Sequence, residues 1–263
     1  ALHGIPISIK DLQMTKGIRT TGGSLAYKDR IPEADCAVVE RVLEAGAIML
    51  GKTNSPEFGL LGANENRLGD SCRNPWDVNR TSGGSSGGAG ASIVAGLTSL
   101  ATGGDGGGSI RIPASFNGIY GIKPTQGRVS SFSGVPASPL ANYTSQQGPL
   151  TRTVKDSALL LQVIAGYDSR DPGSLRSSVP DFLASVTRGI SGLKIGWSPD
   201  YGYAAVDSEV LTITESAAKV FSELGCEVME SDLKLEGAFD TWFTLFAAGA
   251  YATQGHLLDD EED

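Results

Sequence analysis

Apolar and polar positions change period several times along this chain. Residues 5–9 carry apolar side chains at Ile5, Ile7 and Ile9, the two-residue period of a strand. Residues 35–46 shift to helical spacing. Val38, Val42 and Ala45 share one face, Val39 and Leu43 lie beside it, and Gly46 is the stop signal. A short apolar run at 47–50 predicts the next strand. Residues 154–165 predict an amphipathic helix with Val154, Ala158, Leu161 and Ala165 in register. The clearest helix is 208–224, capped by Asp207 and ended by Gly225, with Val210, Ile213, Ala217, Val220 and Leu224 on one face. Strands are predicted at 193–197 and 226–229, and 168–192 reads as a loop-rich connection. Alternating strands and helices imply an α/β fold, a sheet covered by helices.

One region departs from this pattern. Thirteen of the 35 glycines lie between residues 81 and 121. Such a stretch suits close backbone approach rather than ordinary side-chain packing. It is not a linker, because Ile93, Val94, Ile110 and Ile112 interrupt it.

The 263 residues suffice for one large domain or two small ones. A net charge of -9, without any Lys/Arg cluster, argues against a nucleic-acid or anionic-membrane surface. Cys36, Cys72 and Cys226 are far apart and form no CxxC, so neither a disulfide framework nor a zinc site is indicated. The apolar stretches are too short to span a bilayer, and no leader pattern is seen. A cytoplasmic location is the expectation. A start at Ala1 rather than Met suggests a cleaved or partial chain, and the acidic run 259–263 reads as a solvated helix end or tail.

Two glycine clusters carry serines: one at 83–88 around Ser85 and Ser86, the other at 103–109 ending on Ser109. Three glycines before Ser109 leave three backbone N–H groups without side-chain cover, and residues 109–114 read as a turn or short helix. Convergent N–H donors suit a tetrahedral oxyanion, and one such donor is worth roughly 3 kcal/mol of barrier. A phosphate loop is the competing use of such glycines. It fails the Walker pattern, since no Gly-Lys-Ser/Thr follows, and the dinucleotide pattern, since the glycine spacing is wrong. A purely structural glycine turn remains open.

Ser85 lies at the centre of a G-x-S-x-G elbow. That reading needs a downstream histidine, and only His3 and His256 exist. A serine hydrolase lacking histidine needs another base, and lysine is one solution. Lys10 ends the first predicted strand, where burial would lower its pKa. By spacing alone it could equally be a surface lysine paired with Asp11. The S-x-x-K pattern at Ser216 and Lys219 lies in mid-helix and reads as solvated.

Three blocks then stand in order: residues 2–11, 81–91 and 104–114. Lys10 and Ser85 are 75 residues apart, and Ser85 and Ser109 are 24 apart. With further blocks at 121–125 and 148–153, the chain resembles the amidase signature family over residues 2–165, more weakly to 231. The resemblance implies one domain over 1–263 with a mixed β-sheet between helical layers, and a chain lacking N-terminal helices and a C-terminal part. It implies Ser109 as the acylated nucleophile, Ser85 as a cis-peptide relay and Lys10 as the base. The amides of Gly106, Gly107 and Gly108 would form the oxyanion hole. Asp105, Arg111 and Ser86 would support the loop. Residues 53–59, notably Phe58 and Gly59, would border the acyl pocket.

Some positions depart from the family pattern. Gly104 and Gly106 replace larger residues, and Gln126 replaces an aromatic. Gly106 suggests room for a bulky acyl group. The expected substrate is an amide, carbamate (urethane) or amide oligomer, with no cofactor or metal. The expected polypeptide partner is a second copy or the missing remainder of the chain. The glutamine-hydrolysing subunit of a tRNA-dependent amidotransferase is an alternative, and an elbow esterase using Ser85 and His256 is another.

Overall fold

A computed structural model describes residues 1–135 and 144–258. The acidic run 259–263 lies outside them. The strands are β1 (Pro6–Lys10), β2 (Ile48–Thr53), β3 (Arg73–Asn74), β4 (Asp77–Thr81), β5 (Leu100–Asp105), β6 (Tyr120–Gly121), β7 (Gln146–Thr151), β8 (Lys194–Trp197) and β9 (Glu227–Glu230). The helices are α1 (Ala37–Glu44), α2 (Gly87–Val94), α3 (Arg111–Asn117), α4 (Val154–Ile164), α5 (Phe182–Val186), α6 (Ser208–Glu223) and α7 (Ala238–Gln254). The chain forms two compact units, one of Ala1–Val186 with Phe246–Asp263, the other of Thr187–Leu245.

The larger unit is built on a five-stranded mixed sheet in the order β2-β1-β5-β7-β6. β1 runs parallel to both β2 and β5, whereas β7 is antiparallel to β5 and β6. Helices α1 and α4 cover one face. Val38, Val39 and Val42 from α1 join Leu160, Leu161 and Ile164 from α4 over Ile7, Ile9 and Leu100. Helix α2 covers the other face, where Ala89 and Ile93 meet Ala101, Ile110 and Leu150. The mixed α/β sheet between helices is therefore as expected.

Strand alternation does the sorting. Ile7 and Ile9 turn toward α1 and α4. Ser8 and Lys10 turn the opposite way, and Ser8 Oγ lies 3.2 Å from Ser92 Oγ of α2. The same parity on β5 puts Ala101, Gly103 and Asp105 on the α2 side. The sequence period did not reveal α2 or β5, because glycine and alanine supply little hydropathy contrast.

Local signals placed other elements well. The Thr153 hydroxyl caps α4 by accepting from the Asp156 amide at 3.1 Å. In the smaller unit, Asp207 caps α6 by accepting from the Glu209 amide at 2.8 Å. Gly225 follows at φ 84°, where a Cβ would be strained. There, β8 and β9 pair in parallel with α6 as the crossover. The predicted apolar face of α6 is not buried: Val210, Ile213, Val220 and Leu224 are all exposed. Helix α7 gave no signal in the sequence reading, and α5 occupies part of the predicted loop. No helix among the described residues is long and apolar enough to cross a membrane.

Burial ranks the core. Leu160 is fully buried, whereas Leu43 on α1 is 40% exposed. Leu160→Ala is expected to cost about 2–5 kcal/mol in urea unfolding, and Leu43→Ala under about 1 kcal/mol.

Candidate active site

The site grows from the end of β1. Lys10 is 1% exposed, and its Nζ donates to Ser85 Oγ at 2.6 Å and to the Gly104 carbonyl at 3.5 Å. Asp11 does not pair with it. The Asp11 carboxylate instead accepts from the Thr21 amide at 3.0 Å and from the Thr21 hydroxyl. Burial pushes the Lys10 amine down from 10.5 to about 7, and the charge of Asp105 only partly opposes this. The amine is thus poised between its charged and neutral forms near neutrality.

Ser85 sits in the turn between β4 and α2, and the Gly84–Ser85 peptide is cis. Glycine is required at 84 by contact. A Cβ there would lie 2.2 Å from the Ala63 carbonyl oxygen and 2.5 Å from that of Leu61. Across the cavity, Gly59 has φ 73°, and its Cβ would fall 3.1 Å from Ser85 Oγ and 2.6 Å from Leu12 Cδ1. The 53–59 loop thus closes tightly on Ser85. Ser86 ties the two glycine clusters together. Its amide donates to the Ser109 carbonyl at 3.2 Å, and its hydroxyl donates to the Gly104 carbonyl while accepting from the Gly104 amide, each at 3.3 Å.

Asp105 organises the loop that carries Ser109. Its fully buried carboxylate accepts from the amides of Gly108 (2.7 Å), Ile110 (3.2 Å) and Arg111 (3.4 Å). The Arg111 guanidinium adds two bonds at 2.9 Å, one to each oxygen. Burial works to raise the Asp105 carboxyl. The Arg111 guanidinium and the Gly108 and Ile110 amides outweigh it and hold the group below its usual range. This geometry corrects one expectation. The Gly108 amide, read as an oxyanion donor, is committed to Asp105 because the carboxylate caps the turn into α3.

Lys10, Ser85 and Ser109 line one cavity of about 150 Å³, together with Gly104, Gly106, Phe58 and Gly59. Gly107 is exposed and Gly106 half-buried. The sequence reading missed Leu12, Gln147 and the α7 residues Phe246 and Ala250, which also line it. Gln147 stood beside a recognised block at 148–153, whereas α7 carried no motif. His256 does not join the site. Its Nε2 lies 3.1 Å from the Tyr27 hydroxyl, while Ser85 Oγ is engaged by Lys10. The elbow esterase reading therefore lacks its base. Lys219 pairs with Glu215 at 2.9 Å on the exposed face of α6, as a solvated lysine would.

Asp105→Asn removes a charge and turns an amide donor toward N–H groups. It is expected to cost about 2–4 kcal/mol in urea unfolding. Arg111→Ala is expected to cost about 1 kcal/mol, because that side chain is 58% exposed.

Comparison with known proteins follows the same lines. The family model described as Amidase matches residues 1–259. The A subunit of glutamyl-tRNA(Gln) amidotransferase from Chromohalobacter salexigens is 45% identical over 233 residues, which cover 89% of this chain and 47% of the relative. A bacterial aryl acylamidase of the amidase signature enzymes matches with a TM-score of 0.89 at 36% identity, covering 99% of this chain and 55% of that one. The structure of 6-aminohexanoate cyclic dimer hydrolase matches at 0.79 and 32% identity, over 87% of this chain and 48% of that one. The chain spans about half the length of the curated relatives it matches, 47% and 51% of the first two. By its fold and by these matches, the chain belongs to the amidase signature family.

Proposed function

We propose that this chain carries the catalytic half of a hydrolase that cleaves amide-type C–N bonds through an acyl-enzyme on Ser109. The observation that carries the reading is the 2.6 Å contact between Lys10 Nζ and Ser85 Oγ, buried in the cavity that also holds Ser109. In the neutral form, Nζ accepts the Ser85 proton while Ser85 accepts the proton of Ser109. Ser109 Oγ then bonds to the substrate carbonyl carbon. The amides of Gly107 and Ser109 donate to no acceptor among the described residues, and they are the oxyanion donors of this reading. When the C–N bond breaks, the proton returns from Lys10 through Ser85 to the departing amine. Water adds to the acyl-enzyme by the same route and releases the acid.

The acyl group belongs in a cavity of about 150 Å³. That volume favours a compact acyl group over the bulky one suggested by Gly106. Simple amides and short carbamates fit this reading. The likeness to 6-aminohexanoate cyclic dimer hydrolase keeps amide oligomers among the candidates. A second reading has its own support. Identities of 43–45% to curated amidotransferase A subunits favour glutamine as the amide, with ammonia passed on to a partner protein. Assays on a panel of aryl amides, carbamates and glutamine separate the two, and glutamine turnover alone selects the second. A cytoplasmic enzyme acting on a small molecule, alone or as a homodimer, is the corresponding setting for the first.

A fluorophosphonate should label Ser109, and an adduct on Ser85 would reverse the assigned roles. Ser109→Ala is expected to lower kcat by about 10⁴-fold or more, and Lys10→Ala by about 10²–10⁴-fold. Because the neutral amine is the active form, activity should rise with pH through about 7 and level off above it. A profile that falls across this range would exclude Lys10 as the base.

A further inference from the structure

We infer that Gln147 is a specificity-determining residue, presenting an N–H donor to an acceptor atom in the acyl part of the substrate; this rests on the hydrolase reading above. Gln147 pairs with Gly104 across β7 and β5. Because Gly104 has no side chain, the Gln147 carboxamide lies over it. A Cβ at 104 would come within 3.2 Å of Oε1 and 3.4 Å of Nε2. From there the side chain lines the cavity shared by Lys10, Ser85 and Ser109.

Two further side chains hold this amide in place. The Thr102 hydroxyl donates to Gln13 Oε1, and Gln13 Nε2 donates to Gln147 Oε1 at 2.8 Å. Thr102 is fully buried and Gln13 is 4% exposed. The Gln13 backbone is fixed too, since its carbonyl accepts from Lys52 Nζ and from the Thr15 hydroxyl. In this arrangement the carbonyl end of Gln147 is used. Its Nε2 keeps two N–H donors with no acceptor among the described residues.

Apolar Leu12, Phe58, Leu60 and Phe246 share the cavity with the polar side chains of Ser145, Thr253 and Gln254, and among the described residues no hydrogen bond joins Gln147 Nε2 to any of them. A ligand that displaces water without supplying an acceptor leaves the N–H unpaired, which costs binding. The acyl part is the portion that must satisfy it, because it stays in the cavity on Ser109 while the amine departs. An ether, carbonyl or similar oxygen near the scissile carbonyl would do so, and a plain hydrocarbon chain would not.

The test compares methoxyacetyl and butyryl p-nitroanilides, which match in chain length and differ by an oxygen in place of a methylene. The full polypeptide is assayed, and the readout is the ratio of kcat/KM for the two substrates. Taking the ratio against that of each variant cancels the difference in intrinsic reactivity. Gln147→Leu is expected to lower the ratio about tenfold, with the loss falling on the methoxyacetyl substrate. Gln147→Glu keeps the shape but presents an acceptor, and it should lower the ratio at least as far. Gln13→Leu leaves Gln147 in place without its brace and should lower the ratio partway. If the ratio is unchanged, or both substrates lose equally, Gln147 is structural and the inference is overturned. Ser109 labelling by a fluorophosphonate with an unchanged ratio removes this inference alone. No labelling and no turnover of either substrate removes the hydrolase reading, and this inference with it.

Discussion

An amine at the end of a buried strand must be satisfied without water, and much of this site follows from that constraint. Lys10 has 1% exposure, a serine hydroxyl at 2.6 Å and a carbonyl at 3.5 Å. The carboxylate whose charge reaches it, Asp105, is already neutralised by Arg111 and three amides. Desolvation therefore dominates, and the amine is held at about 7 rather than 10.5. The cost is one of stability. Between those two values the unfolded chain holds a proton that the folded chain does not, so the Lys10 contribution to stability grows as pH rises from about 7 toward 10.5 and is least favourable below 7.

The glycine clusters answer the same constraint from the other side. A lysine reaches a serine on a distant segment only if the backbones come unusually close. Gly84 lies against two carbonyls that a Cβ would strike, and Gly88 lies against the Asn54 amide, where a Cβ would be 2.4 Å away. Gly103 lies beneath Ser86 and Leu150 in the same way. Side chains at these positions would push β5, the 53–59 loop and the Ser85 turn apart. The glycines thus exchange packing area for proximity, and the apolar layers on both faces of the sheet supply the compensating burial.

Polar order in the cavity is arranged by two buried networks with different tasks. Around Asp105, a charged acceptor gathers amides and fixes the turn that carries Ser109. Along Thr102, Gln13 and Gln147, neutral groups pass a single direction of donation toward the cavity. The first consumes donors, including the Gly108 amide. The second ends on a donor with no acceptor among the described residues. A polar group left in that state at a cavity wall is a specification for the ligand.

Much of this was legible in order along the chain, and some was not. Periodicity located β1, α1, α4 and α6 to within a residue or two, because apolar spacing and caps are local. Parity alone puts Lys10 on the face of β1 opposite Ile7 and Ile9. The glycine density at 81–121 announced close backbone approach, and the spacing of the lysine and two serines pointed to the family. Hydropathy could not reveal α2 or β5, whose residues are small, and α7, which supplies Phe246 to the cavity, carries no motif. Only the tertiary structure decided that Lys10 is buried beside Ser85 rather than solvated beside Asp11, that the Gly108 amide serves Asp105, and that Gln147 is braced by Gln13 134 residues away. The reason is physical. Local spacing is written in consecutive residues, whereas desolvation and the direction of a hydrogen bond depend on what distant segments place across the gap.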